Sequence, residues 1–134
     1  MSNVPADLKY TEEHEWVRKE EDGTLTVGIT DHAQQLLGDV VYLDFNVVGE
    51  KLKAGDGVGN VESVKAVSDI FLPVAGVILK KNEDLEAAPD LLNQEPYGDG
   101  WIFKLKPDNA ADFDDSEYLM SAEAYKKLVD APED

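Results

Sequence analysis

One lysine is set apart by its surroundings. Lys65 lies between the extended, largely apolar runs 61–64 and 66–72, and the next lysine, Lys80, is far along the chain. Two such runs can pair as a hairpin with the lysine at its turn. An amine on a rigid turn can be reached by a modifying enzyme, and the turn then gives an attached arm a fixed base from which to swing. By residue type alone a lysine there is ordinarily a solvated turn residue. The argument therefore rests on what flanks it.

The other candidate chemistries fail on spacing. Gly55-Asp56-Gly57-Val58-Gly59 has the glycines of a dinucleotide loop. Such a loop must follow a strand and open a helix, whereas the residues that follow here read as a strand, and Asp56 would repel phosphate. His14 and His32 fall in different elements with no second histidine at ligand spacing, which argues against zinc. His14, between Glu13 and Glu15, reads as a surface residue rather than a base. Asp112-Phe113-Asp114-Asp115 begins like a calcium loop, but Glu117 stands where glycine must make the bend. No Gly-x-Ser-x-Gly element is present, and nothing supports a triad built on Ser63 or Ser68. No catalytic residue and no metal ligand is expected.

Composition narrows the classes further. The chain has no cysteine, so disulfides, thiolate metal sites and cysteine nucleophiles are excluded. Any sulfur redox chemistry must come from an attached group. Asp and Glu total 29 against 12 Lys and Arg, a net charge of -17. This balance disfavours nucleic acid and anionic membrane surfaces, both of which call for cations. It favours solubility and can speed encounters with basic partners. No apolar run is long enough to cross a bilayer, and residues 1–10 lack the basic-then-apolar order of a secretory signal. The expectation is a soluble protein of a bacterial cytoplasm, or of the mitochondrial matrix where a transit peptide has been removed.

The elements that would position Lys65 read mainly as β. With 134 residues, a single domain over 1–134 is expected. Its core sandwich spans about 24–106, and a helical extension spans about 110–130. A turn at Asp22-Gly23 leads into the alternating strand Leu25-Thr26-Val27-Gly28-Ile29. Thr30 caps a short helix over 31–37, stopped by Gly38. Residues 40–45 form a strand turned by Val48-Gly49, and further strands are expected over 73–79 and 101–106, the last ended by Pro107. Residues 82–100 read as a loop with one short helical stretch after Pro89. Tyr118, Leu119, Ala122, Tyr125, Leu128 and Val129 recur at helical spacing, with Ser121 as an N-cap for the final helix. Many short strands between glycine turns make a small sandwich or barrel.

Several blocks in order carry a family resemblance. Glu62-Ser63-Val64-Lys65-Ala66, then Ser68-Asp69 and Pro73-Val74-Ala75-Gly76, closely resembles the lipoyl attachment signature of the glycine cleavage H protein family. Leu8-Lys9-Tyr10 followed by His14-Glu15-Trp16-Val17 is similar to that family's start. Val27 through Gln34 and Leu37-Gly38-Asp39-Val40-Val41 match its next block, and Asn93-Gln94-Glu95-Pro96-Tyr97-Gly98-Asp99-Gly100-Trp101 resembles its late loop and strand. Departures occur at Phe45-Asn46-Val47, at Gly59-Asn60 and at Leu72, all outside the lysine signature.

The resemblance implies a lipoyl-type β-sandwich, a barrel-sandwich hybrid with short helices and a C-terminal helix. It implies lipoate bound covalently to Lys65 and a carrier that is not itself an enzyme. In that family the lipoyl disulfide accepts an aminomethyl group at the pyridoxal-phosphate-dependent glycine decarboxylase. An aminomethyltransferase passes the one-carbon unit to tetrahydrofolate, and dihydrolipoyl dehydrogenase reoxidises the dithiol. The resemblance also implies that Glu62 helps the lipoate-attaching enzyme recognise the turn. It implies further that Glu15 and Asp69 line a groove for the loaded arm. Two other readings are a detached lipoyl or biotinyl domain, and an interaction module or lipoyl donor on the same scaffold. The first leaves the terminal blocks unexplained, and its lysine usually follows Asp or sits between methionines, whereas Val64 and Ala66 flank Lys65. An intact mass separates carriers from an unmodified module.

Overall fold

The computed structural model describes residues 4–116 and 118–130. The chain opens with strands β1 (Lys9–Tyr10), β2 (Glu15–Lys19) and β3 (Leu25–Ile29) and helix α1 (Asp31–Leu37). Five strands follow: β4 (Val40–Phe45), β5 (Lys51–Leu52), β6 (Gly57–Ser63), β7 (Val67–Phe71) and β8 (Gly76–Lys81). Short helices α2 (Asp84–Ala87) and α3 (Leu91–Gln94) lead to β9 (Phe103–Pro107). The chain then runs through α4 (Asp112–Asp115) and β10 (Met120–Ser121) into α5 (Ala122–Asp130). Among the described residues no helix is long and apolar enough to cross a membrane.

The strands form two antiparallel sheets. One has seven strands in the order β10-β1-β2-β3-β9-β8-β5, and the other has three in the order β4-β6-β7. The expected two-sheet β fold with short helices and a C-terminal helix is what the chain adopts. Val27, Val61, Ile70, Ile78 and Leu105 are buried in one apolar cluster that both sheets share. Phe45 of the small sheet stacks on Phe103 of the large one with ring centroids 5.0 Å apart. Each such side chain contributes about 1.5–3 kcal/mol by leaving water.

Local signals set the elements near the lysine. The Thr30 hydroxyl accepts the Ala33 amide at 3.2 Å and so caps α1. Gly38 closes that helix at φ +74°, where its amide donates to the Gln34 carbonyl. A second apolar cluster holds Leu8, Tyr10, Trp16 and Tyr125, with the rings of Tyr10 and Tyr125 stacked 4.6 Å apart. Gly28 permits that layer, because a Cβ there would lie 2.7 Å from the Trp16 ring.

Several boundaries differ from the sequence reading. β8 begins at Gly76 rather than residue 73, since Pro73 has no amide to give a ladder and 73–75 cross between the sheets. β9 begins at Phe103 rather than residue 101. It is not the last strand, because β10 pairs with β1. That pairing takes Tyr118 and Leu119 out of the helical run, while α5 starts at Ala122, right after the N-cap expected at Ser121. Ser121 caps it, its hydroxyl accepting the Ala124 amide at 3.1 Å. Residues 82–100 hold two short helices where one was expected.

Candidate functional site

Lys65 sits at the tip of the β6–β7 hairpin. Glu62 pairs with Val67, and the Ser63 amide donates to the Ala66 carbonyl at 2.8 Å. Val64 and Lys65 make the connection without left-handed backbone, since His14 is the only described non-glycine residue at positive φ. Ser63 supplies the turn instead. Its hydroxyl accepts the amides of Lys65 and Ala66 at 3.3 and 3.0 Å, a local side-chain bond that replaces the glycine a tight hairpin otherwise needs. Sequence reasoning missed this role, although serine two residues before a turn lysine is the signal for it.

The turn rests on the α1–β4 junction. The Val64 amide donates to the Asp39 carbonyl at 3.0 Å. The Lys65 stem passes over Gly38, where an added Cβ would lie 3.4 Å from Cε and 3.9 Å from Nζ. Lys65 is exposed and has no ion-pair partner among the described residues. Around it, Leu36, Val64 and Val67 are each more than half exposed. Glu62 is half-buried on β6, beside Tyr42 of β4 and Val67 of β7.

Glu15 and Asp69 meet at one cavity. Both line a space of about 180 Å³ that also touches Ala66, Val67, Leu36 and His14. Asp69 is exposed, whereas Glu15 is only 2% exposed and so is not a solvated carboxylate. Its Oε2 accepts the Phe71 amide at 2.7 Å, and its Oε1 accepts the Thr11 hydroxyl at 3.1 Å. Burial pushes the Glu15 carboxyl up to about 8. The two hydrogen bonds pull it down and the Glu13 charge pushes it up further. Glu15 also lines a larger cavity of about 490 Å³, with Thr11, Gly55, Phe71, Tyr118 and Met120.

The two histidines, far apart in sequence, come together. Their rings lie 4.8 Å apart. His14 is half-buried at φ +68°, not a surface residue, and its Nδ1 meets the Tyr125 hydroxyl at 2.9 Å. That hydroxyl also lies 2.7 Å from the Thr30 hydroxyl. Burial, with His32 second, holds His14 below the usual histidine value. Among the described residues no group of three His, Cys, Asp or Glu side chains can hold a metal ion. No local pattern announced this cluster, because it joins residues 111 apart.

The family model described as Glycine cleavage H-protein matches residues 8–131. The chain belongs to this family. The glycine cleavage system H protein of Laribacter hongkongensis is 57% identical over 129 residues, covering 96% of this chain and 99% of that one. Its counterpart in Chromobacterium violaceum is 55% identical over 131 residues, covering 98% and 100%. Among solved structures, a glycine cleavage system H protein from Mycobacterium marinum superposes with a TM-score of 0.81 at 34% identity, over 93% of this chain and 98% of that chain.

In this H-protein-family chain the sequence departures lie in packing, away from Lys65. Phe45 stacks on Phe103. Gly59 backs directly onto the Asp44 carbonyl, where no Cβ fits. Leu72 is 1% exposed.

Proposed function

We propose that Lys65 carries a covalently attached lipoyl group and that the chain shuttles it among the components of the glycine cleavage system. Those components are a pyridoxal-phosphate-dependent glycine decarboxylase, an aminomethyltransferase and dihydrolipoyl dehydrogenase, with a lipoate-attaching enzyme loading the carrier. The observation that carries the reading is Lys65 itself. It stands exposed and, among the described residues, without an ion pair at the tip of a braced hairpin, inside the segment matched by the H-protein family.

The residues present suit such a group. Acylation joins Nζ to the carboxyl carbon of an activated lipoate, the activating group leaves with the electron pair of its bond to that carbon, and the ammonium gives up two protons, so its charge disappears. When bound, the group supplies a disulfide that a chain without cysteine lacks. The hairpin fixes the base of the arm through Ser63 and the Asp39 carbonyl. Glu62, on the strand leading into the turn, offers the attaching enzyme a carboxylate. Glu15 and Asp69, which share a cavity that begins at Ala66, offer carboxyl oxygens to the amine of the aminomethyl cargo. None of these groups forms or breaks a covalent bond in the transfer, in keeping with a non-catalytic carrier.

Intact mass of the full chain, treated with a lipoate-attaching enzyme, lipoate and ATP, tests the reading. A single lipoyl-sized increment that maps to Lys65 is expected. An increment elsewhere, or none, overturns it.

A further inference from the structure

The hairpin is held to the rest of the protein at the α1–β4 junction, and one side chain from another element fixes that junction. Asn93, on α3, is 53 to 59 residues from the groups it binds. Its Oδ1 accepts the Val40 amide at 2.8 Å. Its Nδ2 donates to the Gly38 carbonyl at 2.7 Å and to the Gln34 side-chain oxygen at 3.1 Å. The three partners settle the orientation of the amide. Turned over, it would set an NH2 group against the Val40 N–H and an oxygen against the Gly38 carbonyl.

Gly38 and Val40 bracket Asp39, whose carbonyl receives the Val64 amide. Gly38 also lies under the Lys65 stem. A contiguous chain of short contacts therefore runs from Asn93 through residues 38–40 to the turn. We propose that Asn93 is a positioning residue for Lys65, clamping the seat on which the lysine turn rests so that Nζ is presented at a fixed place. The role rests on the reading of Lys65 as the acylated residue and adds a second contributor to it.

The chemistry demands asparagine. The site needs one acceptor and two donors in one plane, which an amide supplies. Aspartate keeps the acceptor for Val40 but places a carboxylate oxygen against the Gly38 carbonyl and loses both donors. The hairpin retains its own Ser63 bonds in either case. The turn therefore still forms when the clamp is lost, but its seat loosens. A small displacement of a reacting amine costs rate without costing the fold.

The test uses the full chain, not yet lipoylated, as parent, Asn93→Asp and Gln34→Leu, which removes one bond of the clamp. Ile78→Val, a core change on β8 in the other sheet, serves as a destabilised control that touches no bond of the clamp. Amide hydrogen exchange at Val64 and the kcat/KM for acylation by a lipoate-attaching enzyme are both measured. For Asn93→Asp, Val64 exchange is expected to quicken and kcat/KM to fall by about tenfold each. Gln34→Leu should shift both in the same direction by less, and Ile78→Val should leave both near the parent values. If Asn93→Asp fails to fold, Gln34→Leu decides. Exchange and kcat/KM in the clamp variants equal to those of Ile78→Val would overturn the proposal. A parent chain that is not acylated at Lys65 would overturn the Lys65 reading instead, while Val64 exchange would still decide whether the clamp holds the turn.

Discussion

Glu15 on β2 and Phe71 on β7 belong to different sheets, and the Glu15 carboxyl joins them by accepting the Phe71 amide at 2.7 Å. The carboxyl is held out of water to do so, and its raised protonation point follows from that burial. β7 begins two residues after Lys65. One bond thus ties the strand leaving the lysine turn to the opposite sheet.

This burial gives a pH signature. The Glu15 carboxyl moves up from 4.5 to about 8 in the fold. A carboxyl raised by folding favours the folded state fully below its unfolded value, and that contribution is lost as pH rises through the folded value. The thermal midpoint of the parent chain should therefore fall between about 4.5 and about 8 more steeply than that of Glu15→Gln. The difference between the two curves isolates Glu15 from the general repulsion of a chain at -17. Parallel curves would show that burial does not hold the proton.

Lys65→Arg should fold as the parent does, with a stability change within about 0.5 kcal/mol, because the side chain is exposed. It should acquire no lipoyl mass and support no glycine cleavage. A lipoylated, active Lys65→Arg protein would refute the attachment site.

Glu62→Gln should slow acylation of Lys65 and leave the thermal midpoint in place. The carboxylate is half-buried on the strand entering the turn and has no ion-pair partner among the described residues, so its charge is free for an incoming enzyme. Equal initial rates for the two proteins would remove the role.

Glu15→Gln and Asp69→Asn should both release ammonia faster than the parent when the arm is loaded chemically and the transferase is left out. An ammonium beside Glu15 favours the ionised carboxyl, so docking of the cargo also releases a proton near neutral pH. Indistinguishable release rates in all three proteins would exclude the cavity as the resting place of the cargo.

Tyr125→Phe should destabilise the fold by about 1–3 kcal/mol in urea denaturation, since it strips a hydroxyl from the fully buried Thr30 and from His14. A loss within about 0.5 kcal/mol would mean that other partners satisfy those groups.

The features whose cause is local were legible in the order of residues. Thr30 and Gly38 bound α1 because a cap and a left-handed stop act within one helical turn. The runs either side of Lys65 pair as a hairpin because alternation and a short connection lie within ten residues. The family resemblance rests on the same contiguous blocks, so Lys65, Glu62, Glu15 and Asp69 could be named from them. What those residues experience depends on packing between distant segments. Glu15 looks like any acidic neighbour of His14 until Phe71, 56 residues on, closes over it. His14 and His32 meet where Glu15 pairs with Ile29 and the His14 carbonyl takes the Thr30 amide, and Tyr125 joins them there from α5, 111 residues beyond His14. Tyr118 and Leu119, at helical spacing in the sequence, stay outside α5 because Met120 and Ser121 pair with β1 ahead of it. Asn93 reaches under the lysine turn from α3. Burial and cross-element hydrogen bonds depend on which distant segments become neighbours, and no periodicity or cap in the chain encodes that adjacency.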